Sequence, residues 1–249
     1  MEISVILPTY NEGDNIKILI PKLEQLFKNE KIDSEIIVVD DSSPDGTAKI
    51  ASNFNKKYKN IKTLVRERKE GLGSALRNGY NHANGDIIIS MDSDLSLDIK
   101  DIPKFIEKIE SGYDLVVGSR FLKHGFYEKK RIRTYLKNLV STFGNRLTTF
   151  LLDIDIHDFS LNFRAIKKSI WKSIETREKL NAFLLEMIVK TKYSGFKVTE
   201  VPVIFKERYY GKSKMKLSKQ TFRFFRKLFE YFITYRLFLP SKSRGGKYK

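Results

Sequence analysis

Two aspartates one residue apart, Asp92-Ser93-Asp94, follow directly on the apolar run Ile87-Ile88-Ile89-Ser90-Met91. Carboxylates two apart at a strand end can converge on one hard cation, and such a cation bridges the phosphates of a bound nucleotide. Mg2+ or Mn2+ suits so few protein oxygens better than Ca2+, because a diphosphate supplies the other ligands. Three more clusters carry similar chemistry. Pro8-Thr9-Tyr10-Asn11-Glu12 offers a proline-fixed turn, an aromatic face and a carboxylate, and reads equally well as a turn with a helix cap. Val38-Val39-Asp40-Asp41 ends an apolar run on adjacent carboxylates, and Ser42-Ser43-Pro44-Asp45-Gly46 then opens a helix with Asp45 as its cap. Gly211-Lys212-Ser213-Lys214, with Arg208 before it, places positive charge where phosphate would be neutralised, although lysine-rich turns also simply face solvent.

The elements that must position these residues follow from periodicity. Short β-branched runs at Ile3–Leu7, Glu35–Val39, Ile61–Val65, Ile87–Ser90 and Leu115–Val117 read as strands. Between them Asn15–Phe27, Asp45–Tyr58, Leu72–Ala83 and Ile102–Glu110 carry apolar residues three and four apart, as helices do. Such alternation predicts an α/β fold with a mostly parallel central sheet flanked by helices. In open parallel sheets ligands sit beyond the carboxyl ends of the strands, and all four clusters are expected to converge on that edge. Downstream, Lys123–Arg133 is a basic segment, Lys137–Leu152 an amphipathic helix with Leu139, Val140, Phe143, Leu147 and Phe150, Leu180–Tyr193 a helix and Val198–Phe205 a strand. Ser218–Leu239 reads as a basic amphipathic helix with Phe222, Phe225, Phe229 and Phe232 on one stripe, widened by Leu228 and Tyr235. A helix merely packed on the domain would show a similar pattern. Three units are expected: a domain over 1–217, this helix over 218–239, and a basic tail over 240–249 that should stay disordered in isolation.

Composition excludes several classes. With 249 residues, 41% of them apolar, the chain can bury a sizeable core and is neither a disordered tail nor a collagen. Zero cysteines removes disulfides, Cys-zinc sites, Fe–S clusters and thiol catalysis together. Nowhere does an uncharged apolar run approach the roughly 20 residues of a spanning helix. The start, Met1-Glu2-Ile3-Ser4-Val5, has no basic region or small-residue cleavage site, which predicts a protein without a signal peptide that stays in the cytoplasm. The 47 Lys and Arg exceed the 30 Asp and Glu to give a net charge of +17, so the partner should be anionic: nucleic acid, a lipid surface or a phosphorylated substrate. His82, His124 and His157 are isolated and read as surface or core residues, and Trp171 as a core or membrane-facing group.

Taken in order, Val5-Ile6-Leu7-Pro8-Thr9-Tyr10-Asn11-Glu12, Val38 to Thr47, Met91-Asp92-Ser93-Asp94-Leu95, Gly118-Ser119-Arg120 and Arg208 with Gly211-Lys212-Ser213-Lys214 resemble the motifs of polyprenyl-phosphate mannose synthases, which are inverting family 2 glycosyltransferases. The likeness runs to about residue 220. It implies a GT-A fold and transfer of a hexose, mannose from GDP-mannose first of all, to a polyprenyl or dolichyl monophosphate. It implies further that Pro8, Tyr10, Glu12, Val39 and Asp41 hold the nucleoside, and that Asp92, Ser93 and Asp94 hold the diphosphate, with Mg2+ or Mn2+ on Asp92 and Asp94. Arg120, Arg208 and Lys214 match basic positions around the sugar diphosphate and the acceptor phosphate.

Three departures stand out. Ser96 occupies a place where related synthases often carry a Gln near the cation. The acceptor motif Arg-x-x-x-Ser appears as Lys137-Asn138-Leu139-Val140-Ser141, a point charge in place of a guanidinium, with Arg131 and Arg133 nearby. Asp158-Phe159-Ser160-Leu161-Asn162-Phe163-Arg164 lacks the Ser-Gly that relatives usually place before the Phe.

A phosphate nucleophile is already ionised at neutral pH, so the chain's poverty in histidine is no obstacle to such a reaction. Asp94, Arg120, Lys137 and Ser141 are the residues expected to carry catalysis, and Asp94 is the expected principal metal ligand. Synthases of this kind either have their own transmembrane helices or borrow attachment from a partner subunit. Peripheral attachment to the cytoplasmic face of a membrane is expected here, through such a subunit or through Ser218–Leu239. A nucleic-acid-binding module would account for the charge, but no DNA or RNA motif accompanies it and acidic strand ends repel phosphate unless a metal is bound. A transferase using UDP-glucose or another nucleotide sugar, and an inactive transferase-fold interaction protein, are the other readings.

Overall fold

The computed structural model describes residues 2–123, 125–127, 132–206 and 217–238. Strands and helices alternate through β1 (Ile3–Thr9), α1 (Gly13–Glu30), β2 (Ser34–Asp40), α2 (Thr47–Tyr58), β3 (Ile61–Val65), α3 (Leu72–His82), β4 (Ile87–Met91), α4 (Ile102–Glu110) and β5 (Leu115–Ser119). Then come β6 (Phe126–Tyr127), α5 (Ile132–Leu152), β7 (Phe163–Lys167), α6 (Lys168–Ser173), α7 (Ala182–Tyr193), β8 (Val198–Pro202), β9 (Ile204–Phe205) and α8 (Leu217–Phe232). A π-helical turn, Ile233–Leu237, continues α8. Seven strands form the main sheet in the order β3-β2-β1-β4-β7-β5-β8, and β6 pairs separately with β9. Only β7 runs antiparallel to its neighbours, β4 and β5.

Side chains alternate across a strand, so each apolar run feeds two cores. Ile3, Val5 and Leu7 of β1, Ile36 and Val38 of β2 and Ile87 and Ile89 of β4 pack against α1, α2 and α4. Ile6, Ile37, Val39 and Ile88 face the opposite way, toward α3 and α7. In α1 the buried Ile16, Leu19, Ile20, Leu23 and Phe27 sit three, four and seven residues apart, the spacing of one helix face. Gly73 lets the first turn of α3 meet that of α7, since a Cβ there would lie 2.5 Å from the Cβ of Phe183.

The sheet is mostly parallel, as expected, but three features differ from the sequence reading. First, β7 was not anticipated: Phe163–Lys167 is short and carries Arg164 at its second position, yet it lies near the middle of the sheet. Second, Val198–Phe205 is not one strand. It divides into β8 and β9 in different sheets: the ladder with β5 runs through Pro202 to Val203, whose N–H donates to the Ser119 carbonyl, and Ile204 and Phe205 pair with β6 instead. Third, the expected stripe of α8 splits. Leu228 and Tyr231 are buried, and Phe224, Phe225, Phe232 and Tyr235 pack beside them, whereas Phe222 and Phe229 face outward. The buried face is rotated because α8 contacts α5 on one side and α7 on the other. Similarly, Phe143 and Phe150 of α5, expected on its apolar face, are exposed. The tail over 240–249 lies outside the described residues.

Candidate functional site

Three of the six left-handed non-glycine residues among the described residues lie at one edge of the sheet. Asn11, Ser42 and Leu95, at φ 55°, 51° and 61°, follow the carboxyl ends of β1, β2 and β4. Non-glycine residues in this left-handed region cost free energy and cluster where side chains must be aimed.

The turns after β1 and β2 are tied to each other. Asp40 is fully buried, and its carboxylate accepts the Thr9 hydroxyl at 2.8 Å, the Ser43 hydroxyl at 2.6 Å and the Ser43 N–H at 2.8 Å. Asp45 accepts the Gly13 N–H at 3.0 Å and the Thr47 N–H at 3.0 Å, so it ties the turn before α2 to the start of α1, whereas the N-cap position expected for it falls on Gly46, at φ 78°. Asp40 is thus committed to the turns, whereas Asp41, also buried, pairs with an arginine. Its Oδ1 accepts from Arg66 Nε at 2.6 Å, while Arg66 also donates to the Ser74 hydroxyl at 2.8 Å. Burial pushes the Asp41 carboxyl above the usual carboxylate range, against the opposing pull of Arg66 and Lys69. The Lys69 ammonium lies 3.8 Å from the centre of the Tyr10 ring, a cation–π contact on that aromatic face. Glu12 accepts from Asn15 Nδ2 at 2.6 Å, and Val39 is buried under the turn.

Beside these turns, β4 delivers Asp92 and Asp94. Ser93 turns inward and donates to the Pro8 carbonyl at 3.1 Å, which fastens this loop to the end of β1. Asp94 Oδ1 accepts the Ser96 hydroxyl at 2.5 Å and the Ser96 N–H at 3.1 Å, a tight turn made possible by the left-handed Leu95. Ser96 is fully buried, so it reaches the site through Asp94. Asp92 Oδ1 accepts from Asn162 Nδ2 at 3.1 Å. Neutral donors orient a carboxylate without cancelling its charge. As hard carboxylate oxygens two residues apart beyond a strand end, Asp92 and Asp94 suit a hard divalent cation. Among the described residues no group of three His, Cys, Asp or Glu side chains gathers as a metal cage, so a cation at Asp92 and Asp94 would take its remaining ligands from elsewhere, as a shared diphosphate provides.

A cationic corner stands at the end of β5. Arg120 grips the buried Asp158 through Nε at 2.7 Å and Nη2 at 3.0 Å, and Nη2 also reaches the Ser160 hydroxyl at 2.8 Å. Burial works to raise the Asp158 carboxyl, but the charge and hydrogen bonds of Arg120 outweigh it and hold the carboxyl below its ordinary range. Helix α5 reaches the same loop, where Asn145 Oδ1 accepts the Phe159 N–H at 3.2 Å. Ser141 lies one turn earlier on that helix and is partly exposed. Lys137 is on the same helix, its side chain outside the described portion, and Arg208 and Lys214 lie outside the described residues altogether.

The fold thus gathers Pro8, Tyr10, Glu12, Val39, Asp41, Asp92, Ser93 and Asp94 around adjacent strand ends. Arg66, Asp158 and Asn162 were not anticipated as site residues, because each is recognised only by a partner distant in sequence.

Residues 4–174 match the glycosyl transferase family 2 domain. Over 231 residues the chain is 36% identical to a dolichol-phosphate mannosyltransferase of Pyrococcus furiosus, an alignment covering 92% of this chain and 63% of that one. Over 223 residues it is 30% identical to a polyprenol monophosphomannose synthase of Mycolicibacterium smegmatis, covering 85% of this chain and 80% of the relative. The chain spans just under two thirds of the length of the Pyrococcus protein. A solved structure of glucosyl-3-phosphoglycerate synthase from Mycobacterium tuberculosis, with Mn2+, UDP and phosphoglyceric acid, matches with a TM-score of 0.68 at 19% identity, over 96% of this chain and 80% of that one. The same synthase with Mg2+ and UDP matches with a TM-score of 0.66 at 18% identity, over 96% and 81%. At such identity the likeness speaks to the fold, which is GT-A. The domain match across most of the sheet and the two relatives over nearly the whole chain lead to one assignment: this chain belongs to glycosyl transferase family 2.

Proposed function

We propose that the protein transfers a hexose, mannose from GDP-mannose, to a polyprenyl monophosphate with inversion at the anomeric carbon. The observation that carries this reading is the placement of Asp92 and Asp94, each held by a neutral donor, between the nucleoside-side turns and the Arg120 corner. The names of the two sequence relatives support the same donor and acceptor classes. Tyr10 and Asp41 hold the nucleoside, and Asp92 and Asp94 orient the diphosphate. A divalent cation bound there supplies charge neutralisation for the departing nucleoside diphosphate. Arg120 keeps a fixed direction because Asp158 and Ser160 hold its guanidinium, so with Lys137, Ser141, Arg208 and Lys214 it places the acceptor phosphate for in-line attack. No general base is required of an ionised phosphate.

The test is a panel of labelled nucleotide sugars incubated with the protein and a polyprenyl phosphate, with and without EDTA. Cation-dependent labelling of lipid from GDP-mannose is expected. Labelling from UDP-glucose alone would move the donor, and absence of nucleotide-sugar binding by calorimetry would favour an inactive interaction protein.

The acceptor is a lipid, and the exposed faces of α5 and α8 support peripheral attachment to the cytoplasmic side of a membrane, with or without a partner subunit. Phe143 and Phe150 on α5 are 64% and 80% exposed, and Phe222 and Phe229 on α8 are 72% and 51% exposed. The helices meet where Gly144 lies beside the Phe225 ring, and Arg146, Arg223 and Arg226 are exposed around them. No helix among the described residues is long and apolar enough to cross a membrane. Apolar groups with basic neighbours bind anionic bilayers by burial plus attraction. Exchanging Phe222 and Phe229 for serine should weaken binding to phosphatidylglycerol vesicles by about tenfold or more in co-sedimentation, given ~1.5–3 kcal/mol per buried aromatic. Undiminished sedimentation would rule this face out.

A further inference from the structure

A buried file of hydrogen bonds ends on one of the paired aspartates. Tyr80 OH donates to Ser90 Oγ at 2.8 Å, Ser90 Oγ donates to Asn162 Oδ1 at 2.8 Å, and Asn162 Nδ2 donates to Asp92 Oδ1 at 3.1 Å. Tyr80 lies on α3, Ser90 on β4 and Asn162 in the loop before β7, and all three are buried. Its direction follows from the chemistry of the end groups. An ionised carboxylate only accepts, so Asn162 must present its NH2 to Asp92 and its carbonyl oxygen to Ser90. Ser90 must then donate forward, and the Tyr80 hydroxyl donates into Ser90 behind it. Burial pushes the Tyr80 phenol up to about 12, so this donor stays protonated across the working range. The ring itself is fixed by edge contacts to Trp171 at 4.8 Å and Phe183 at 6.2 Å.

We propose that Asn162 is a positioning residue for the donor site: backed by Ser90 and Tyr80, it sets the rotamer of Asp92 and with it the affinity for the divalent cation. The inference rests on the reading of Asp92 as a cation ligand. Ser96 does for Asp94 from its own turn what Asn162 does for Asp92 from the loop leading into the neighbouring strand β7. The two holds differ in origin. That on Asp94 is local, whereas that on Asp92 depends on α3 and the pre-β7 loop being docked, so the packing of α3 and that loop is coupled to the geometry of the site. An amide donor also leaves the aspartate its charge, which a lysine or arginine at position 162 would cancel.

The test uses the full chain, Asn162→Ala and Tyr80→Phe. Asn162 is not in the left-handed region, so alanine fits its backbone. Mn2+ titrations followed by electron paramagnetic resonance, with GDP or UDP present, should show binding weakened by about tenfold in Asn162→Ala, the lower end of what groups directly behind a metal ligand contribute, and by less, roughly threefold, in Tyr80→Phe, which lies two hydrogen bonds further back. Crystals of Asn162→Ala should show the Asp92 carboxylate rotated. A fall in melting temperature with Mn2+ affinity unchanged and Asp92 in place would overturn the proposal, leaving Asn162 a packing residue. If the parent protein takes up no Mn2+ with either nucleotide, the donor-site reading fails by itself, and the position of Asp92 in Asn162→Ala crystals decides the inference.

Discussion

Replacing Asp94 by asparagine should lower hexose transfer by about three orders of magnitude, or ~4 kcal/mol of transition-state stabilisation, while leaving the protein folded. The amide is the size of the carboxylate, and its oxygen can still accept the Ser96 N–H and hydroxyl that fix the turn. What it lacks is the negative charge that a hard cation requires of its ligands. Asp94→Ala should lose the same activity and, in addition, leave the buried Ser96 donors without their acceptor, at a cost of roughly 1–3 kcal/mol. Initial rates of transfer to polyprenyl phosphate, measured beside thermal melts of both variants, separate the two effects. Turnover in Asp94→Asn equal to that of the parent would remove Asp94 from the mechanism.

Sequence patterns reveal the parts of this site that depend on neighbours along the chain. β1, β2 and β4 are mostly apolar runs that break abruptly into polar residues, and that contrast is what exposes Asp41 and the Asp92–Asp94 pair. The parts that depend on partners across the fold are invisible in the same reading. Asp40 and Asp41 look equivalent until the Thr9 and Ser43 hydroxyls claim one and Arg66 the other. Asn162 looks like a departure from a glycine motif until its amide is found on Asp92. The break within Val198–Phe205 likewise depends on distant partners, since β8 pairs with β5 and β9 with β6. For α8 the 3.6-residue period shows that one face is buried but not which one, since the bearing is set by its contacts with both α5 and α7.

β7 was hidden for a related reason, and the residue that hid it should be the most sensitive in the sheet. Arg164 reads as a solvent-facing charge, yet its side chain is fully buried. Its Nε donates to the Leu161 carbonyl at 2.9 Å, Nη2 to the Phe159 carbonyl at 2.9 Å, and Nη1 to the Leu184 carbonyl. One guanidinium therefore joins the loop carrying Asp158 and Asn162 to the first turn of α7. Desolvation lowers its pKa to about 10, against the supporting pull of Tyr80, Asp158 and Glu200, so it keeps its charge at neutral pH. Arg164→Met fills much of the same volume but withdraws the donors from three buried carbonyls. Breaking a buried charged network of this kind costs about 3–5 kcal/mol, and a domain of this size loses roughly 2–4 °C per kcal/mol, so the melting temperature should fall by ~6–20 °C. Arg164→Lys, able to reach one carbonyl at most, should fall between the parent and Arg164→Met. Assayed below its melting point, Arg164→Met should also transfer poorly, because the loop that aims Arg120 through Asp158 and Asp92 through Asn162 loses its anchor. A melting temperature within about 2 °C of the parent would show that solvent or neighbouring donors satisfy those carbonyls without Arg164.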